Sequence, residues 1–191
     1  MNLRFPSLAA VLCAAIIAAA PLAADEQHDE ARAAVLDRLF EELARSENPA
    51  EAAMVEGEIW RIWAKSGSDT VDLLMQRGLE ALEAGDYAVS LDLFSTVIDI
   101  EPDYPEGWNK RAALYYLIDD YPAAIADATQ TLAMEPRHWP ALMGLALMFE
   151  GIGQPEQALG AYRAALAINP QLEDALDAVS RLAVEVEGRG I

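Results

Sequence analysis

Apolar and small residues recur along this chain at intervals of three and four, the spacing of helices that bury one stripe, and the stripes come in pairs. Leu74, Gly78 and Ala81 predict a helix that stops at the turn Gly85-Asp86-Tyr87, and Ser90, Phe94 and Val97 predict a second that stops near Pro102. The design returns with Trp108, Ala112 and Tyr115, the turn Asp119-Asp120-Tyr121, then Ala124, Ala128 and Thr131 before Pro136. It returns again with Leu142, Leu145, Ala146 and Phe149, the turn Gly153-Gln154-Pro155, then Ala158, Tyr162 and Ala165 before Pro170. The three prolines stand 34 residues apart, a period that belongs to stacked helical hairpins.

The spacing assigns jobs to residue types. Gly78 with Ser90, Ala112 with Ala124, and Ala146 with Ala158 fall where the two helices of a hairpin must approach closely, and bulk there would force them apart. The aromatics fill the wider gap between hairpins. Each proline lacks an N–H and disfavours helix in the residue before it, so it ends one unit before the next begins. Beyond Pro170, Leu172, Leu176, Val179, Leu182 and Val186 keep a helical period while Asp174, Asp177, Arg181 and Glu185 face away, which predicts a terminal helix with a polar outer side.

These residues resemble the tetratricopeptide repeat pattern, W-x-x-L-G-x-x-Y, then A-x-x-x-F, then P. The third unit supplies Leu145-Ala146 and Phe149, Ala158 and Tyr162, and Pro170; the second has Trp108, Tyr115, Ala124 and Pro136 but carries Arg111 and Ala128 at two pattern positions; the first has Gly78, Phe94 and Pro102 but carries Arg77. The two arginines are expected to run their stems along the interface and pair with neighbouring acids, a reading that leads the alternative of anchoring a ligand. Extended backwards, the register places Phe40 in phase with Trp108, Leu43 with Leu145, Ala44 with Gly78 and Trp60 with Phe94, although Glu56, Trp63 and Ser68 depart from the pattern. Ala31 to Arg45 and Pro49 to Lys65 are therefore expected to form a degenerate hairpin that caps the start of the stack. The stretch from Gly57 to Trp63 and Ser66-Gly67-Ser68 is also similar to the leader region of exported tetratricopeptide proteins of Gram-negative bacteria.

The resemblance implies an all-α fold, a right-handed α-solenoid of stacked hairpins with a C-terminal capping helix. The expected organisation is a cleavable signal over 1–24, the N-terminal hairpin over 25–68, three repeats over 69–102, 103–136 and 137–170, and the capping helix and tail over 171–191. It also implies that the first helix of each hairpin lines a concave groove. Met75, Leu79, Asn109, Tyr116, Met143, Leu147 and Glu150 then face a partner, with Arg137 and His138 within reach, unless these residues pack on adjacent helices or on the leader segment folded into the groove. Domains of this family that grip the C-terminal carboxylate of cytosolic chaperones use lysine and asparagine where this chain has Met75 and Leu79, so that clamp is missing.

Composition shifts sharply at the N-terminus. Arg4, an apolar run from Leu8 to Ala20, Pro21 and the abrupt acidity of Asp25-Glu26 make a secretory signal with cleavage expected after Ala24. The run is shorter than the roughly 20 residues of a spanning helix, so stable membrane insertion after cleavage is not expected and the periplasm is the expected compartment. Cys13, the single cysteine, leaves with the signal, which excludes disulfides and thiolate chemistry from the mature chain.

The chain has 32 acidic against 13 basic residues, a formal charge of -19. Such a charge repels phosphate backbones and anionic lipid at long range and attracts a basic segment, although solubility alone, with Asp and Glu covering the solvent faces of the helices, is the larger part of its meaning. His28 and His138 lack zinc-site spacing, and Asp99-x-Glu101-x-Asp103 has Tyr104 where a calcium loop needs its turn glycine. No phosphate-binding loop or nucleophile elbow is present. Neither an enzyme nor a cofactor or metal site is expected. The expectation is an exported adaptor or assembly factor that binds a protein or peptide of a cell-envelope complex in its groove, or alternatively a periplasmic holdase for unfolded clients.

Overall fold

The computed structural model describes residues 30–188. The signal expected over 1–24, His28 and residues 189–191 lie outside the described residues. Those described are helical throughout, with short turns: α1 (30–44), then α2 (Pro49–Trp63), α3 (Asp69–Glu83), α4 (Tyr87–Ile100), α5 (Pro105–Leu117), α6 (Tyr121–Met134), α7 (Trp139–Gly151), α8 (Pro155–Ile168) and α9 (Glu173–Glu187). None of these helices is long and apolar enough to cross a membrane.

Each hairpin turn of the stack is built the same way. Asp86, Asp120 and Gln154 donate their backbone N–H to the carbonyls of Ala81, Tyr115 and Phe149 at 2.8 to 2.9 Å, which closes the preceding helix in a Schellman motif. That motif needs a left-handed residue, and Gly85 (φ 77°), Asp119 (φ 60°) and Gly153 (φ 72°) provide it at intervals of 34. Asp86 and Asp120 then cap α4 and α6 by accepting from the N–H groups of Val89 and Ala123.

Packing follows the small residues. α3 lies on α4, α5 on α6 and α7 on α8, and successive hairpins join through α4 with α5, α6 with α7 and α8 with α9. Ser90 Oγ donates to the Gly78 carbonyl at 2.9 Å, and a Cβ at Gly78 would stand 2.5 Å from the ring of the fully buried Phe94. Ala112 with Ala124 and Ala146 with Ala158 are buried in their own shared clusters. On α9 the buried stripe is Ala175, Ala178 and Leu182, with Leu172, Val179 and Val186 partly covered. Leu176, expected in that stripe, is 47% exposed. Helix phase explains the difference: once the alanines and Leu182 face α8, Leu176 points off the contact.

The N-terminal hairpin forms as α1 and α2 but does not extend the stack at its start. α2 does not pair with α3 as α4 pairs with α5. Its apolar face, with Leu36, Phe40, Leu43, Ile59 and Trp63, is buried against Trp139 and Ala165 of the third repeat. The departures from the repeat pattern account for this. Trp63 is too large for the close helix contact of a repeat and instead sits, 4% exposed, between the hairpin and α7. Glu56, where a small residue would be needed, accepts a hydrogen bond from the Asn169 side chain at the end of α8. The hairpin thus crosses the concave side, with Lys65 and Ser66 held by Asp72 of α3 at one end and the Ser46 carbonyl held by Gln171 at the other.

The candidate partner groove

Residues of α3, α5 and α7, the first helices of the three hairpins, line hollows closed on another side by Glu56, Trp60 and Ala64 of the N-terminal hairpin. At the centre is a buried carboxylate that the sequence pattern did not single out. Glu106, on the first turn of α5, is 3% exposed. Its Oε1 lies 2.7 Å from His138 Nε2, and its Oε2 accepts from Asn109 Nδ2 at 3.1 Å and faces Lys110 Nζ at 3.3 Å. His138 caps α7 by accepting the Ala141 N–H on Nδ1 at 3.1 Å, which leaves Nε2 as the donor to Glu106. Burial alone would raise the Glu106 pKa, but the bond from His138, the Lys110 charge and the Asn109 amide outweigh it and hold the carboxyl at about 2.

An aromatic group from both parts of the chain lies over this pair. Trp63 stacks on the His138 ring with centroids 4.3 Å apart and planes 20° apart, and meets Trp139 at 5.0 Å and Phe40 at 5.8 Å. Trp60 lies edge-on to Trp63 at 5.7 Å, with the Lys110 ammonium 5.0 Å from its ring centroid. Arg137 stacks over Phe40 at 4.2 Å and pairs with Asp37 of α1 and Glu135 at the end of α6. The polar groups expected to meet a partner at this end of the groove, Asn109, Arg137 and His138, are therefore engaged within the chain.

The remaining expected residues divide. Met75 is buried with Val71, Phe94, Tyr104 and Leu114 in the core of the first repeat, and Leu79 packs partly against it; the two also line a small hollow shared with Trp60, Tyr104 and Lys110. Met75 thus belongs to the core more than to the wall. Tyr116, Met143 and Leu147 meet in a larger cavity of about 440 Å³ bounded by Trp60 and Glu56 of α2, Trp139, Gly144 and Met148 of α7, and Asn109 and Ala113 of α5. Leu147 is 44% exposed at its mouth. Glu150 lies further along α7, where it accepts from Tyr162 Oη at 2.8 Å and pairs with Arg181 of α9 at 2.7 Å. Burial first, and then the Glu150 carboxylate, push the Tyr162 phenol above its ordinary value, so it stays a donor.

Of the two unusual arginines, Arg111 meets Asp127 through Nε at 2.7 Å and Nη2 at 3.0 Å, reaches Ser95 at 3.2 Å and lies against Trp108 and Tyr115. Asp127 is the largest influence raising the Arg111 pKa. Arg77 differs from expectation: it is exposed and pairs with no acid among the described residues. The reason is in the period, because the position 34 residues before Asp127 is Leu93. Among the described residues no group of three histidine, cysteine or carboxylate side chains is placed to hold a metal ion.

The tetratricopeptide repeat family model matches residues 75–128 and 118–173. A TPR repeat-containing protein of Rhizobium etli is 36% identical over 153 residues, a match covering 80% of this chain and 75% of that one. The small glutamine-rich tetratricopeptide repeat-containing protein 2 of Saccharomyces cerevisiae is 28% identical over 131 residues, covering 69% of this chain and 37% of that protein. Among solved structures, the first TPR of Spaghetti (RPAP3) bound to the HSP90 peptide SRMEEVD superposes with a TM-score of 0.59 at 18% identity, covering 61% of this chain and 93% of that one. MamA superposes with a TM-score of 0.58 at 17% identity, covering 76% and 86%.

Proposed function

Because the chain belongs to the tetratricopeptide repeat family, whose members support a role in protein–protein interaction, we propose that it is an exported adaptor or assembly factor that holds a protein segment of a cell-envelope partner in the part of its groove the hairpin leaves open. The observation that carries this reading is the cavity of about 440 Å³ between α2, α5 and α7. It has the dimensions of a ligand site and mainly apolar walls with a few polar groups at the edge, and its methionines adapt to varied side chains. The signal pattern over 1–24 supports export to the periplasm. The acid-ended HSP90 peptide held by the Spaghetti domain is a poor guide to this partner, since Met75 and Leu79 replace the clamp residues and Glu56 stands at the cavity rim.

The test is crosslinking in cells followed by affinity capture of the mature chain, comparing wild type with Leu147→Asp. The exposure of Leu147 keeps that substitution compatible with folding. A small set of envelope proteins captured by wild type and lost from the variant is the expected result. Capture that is unchanged in the variant removes the groove from the mechanism, and capture of many unrelated unfolded clients replaces the adaptor with a holdase. N-terminal sequencing of the exported protein, expected to begin at Asp25, tests the compartment.

A further inference from the structure

The open part of the groove has a direction. Its apolar cavity continues past Met143 and Leu147 into a second hollow whose walls include Glu150, Asp174, Asp177 and Arg181. Counting Glu56, which lines the cavity and accepts from Asn169, the continuous surface carries four carboxylates against one guanidinium, and that guanidinium is held by Glu150 at 2.7 Å. Asp174 and Asp177 are exposed, one turn apart on α9. An apolar slot beside an acidic shelf is complementary to one kind of chain, and the overall charge of -19 steers the same kind towards it.

We propose that this composite site, built from the hairpin as well as the repeats, takes an extended peptide segment in which a large aliphatic or aromatic residue is followed within one or two positions by lysine or arginine. The apolar side chain fills the cavity beneath Trp60 and Leu147, and the cation rests between Asp174 and Asp177. The inference rests on the groove reading above and gives its partner a chemistry. It also gives the hairpin a role beyond covering the wall, because Glu56 and Trp60 complete the slot. The charge of such a segment is opposite in sign to that of the acid-ended peptide SRMEEVD in the Spaghetti structure.

Gly144 supplies a clean blocking variant. It lines the cavity, and a Cβ there meets only the Met148 methyl at 3.7 Å, an ordinary contact. Gly144→Leu therefore fills the slot while improving helix propensity. The measurement is fluorescence anisotropy of the mature chain with three short dye-labelled peptides: leucine followed by arginine and lysine, leucine followed by two glutamates, and serine followed by arginine and lysine.

The expected result is at least about tenfold tighter binding of the leucine-basic peptide than of either control, loss of that binding in Gly144→Leu, and a several-fold loss in the Asp174→Asn, Asp177→Asn double variant. Equal binding of the two leucine peptides overturns the inference and leaves the groove reading standing. Equal binding of the two basic peptides also overturns it, since attraction to an acidic chain then accounts for everything. A concentration-dependent dimer by sedimentation, split by Gly144→Leu, assigns the slot to a second copy and overturns it as well. If no peptide binds but Leu147→Asp still loses its captured partner, the occupant is a folded surface rather than a linear segment; if capture fails too, the groove reading falls with the inference.

Discussion

Three residues in equivalent turns show how much a single dihedral decides. Gly85, Asp119 and Gly153 all hold positive φ, a conformation that costs a side-chain-bearing residue about 1 kcal/mol. A Cβ at Gly85 or Gly153 meets nothing within 4 Å, so Gly85→Ala and Gly153→Ala should each destabilise by about 1 kcal/mol through backbone strain alone. Asp119→Gly should stabilise by roughly 0.5 kcal/mol, since the bond it gives up, from Tyr121 Oη at 3.4 Å, is long and exposed. Urea midpoints at constant slope measure all three. The buried Glu106 carboxylate ties stability to pH. Its folded pKa of about 2 lies below the ordinary 4.5, so its contribution is complete above about pH 4.5 and is lost as pH falls towards 2. Glu106→Gln should cost on the order of 2–3 kcal/mol at pH 7, because the amide can still accept from His138 but turns donors towards Asn109 and Lys110. Stability of the variant should be flatter than that of wild type across that acid window, as read by denaturation at several pH values.

At the scale of elements, the repeats were legible because their constraints are local and periodic. A turn needing left-handed backbone, a small residue at each close crossing and a proline at each stop leave marks in the sequence at fixed intervals. The hairpin α1–α2 was legible as two helices because Phe40, Leu43, Ala44 and Trp60 fall in phase with the repeats, but its docking was not. Trp63 and Glu56 read as defects in a repeat, and only the tertiary arrangement makes them contacts to His138, Trp139 and Asn169. Glu106 escaped notice for a related reason: an acid on the first turn of a helix ordinarily faces solvent and favours the helix dipole, and nothing local says that His138 will cover it. The hairpin's attachment predicts a distinct response. Trp63→Ala should cost about 3–5 kcal/mol, and hydrogen exchange should quicken across 30–63 and at the start of α7 while α3 and α4 keep their protection. Equal quickening across all helices would instead make hairpin and stack one cooperative unit.

Across the whole molecule, the charge of -19 opposes folding, because compaction brings like charges together. The exposed ion pairs do little to offset this. Arg45 with Glu41 and Lys65 with Asp72 involve exposed basic side chains, and pairs of that kind contribute about 0–1 kcal/mol. The better-shielded pairs, Arg111 with Asp127 and Lys110 with Glu106, respond weakly to added ions because burial already screens them from solvent. The two effects of salt are therefore unequal. Raising ionic strength from low values to about 0.15 M shortens the Debye length to about 8 Å, which removes most long-range repulsion and leaves the buried pairs nearly intact. The melting temperature should rise by a few degrees over that range, a shift equivalent to about 1 kcal/mol in a domain of this size. Thermal melts in sodium chloride measure it. A fall instead would mean that surface pairing outweighs repulsion and would weaken the case for charge as the force that draws a basic segment to the groove.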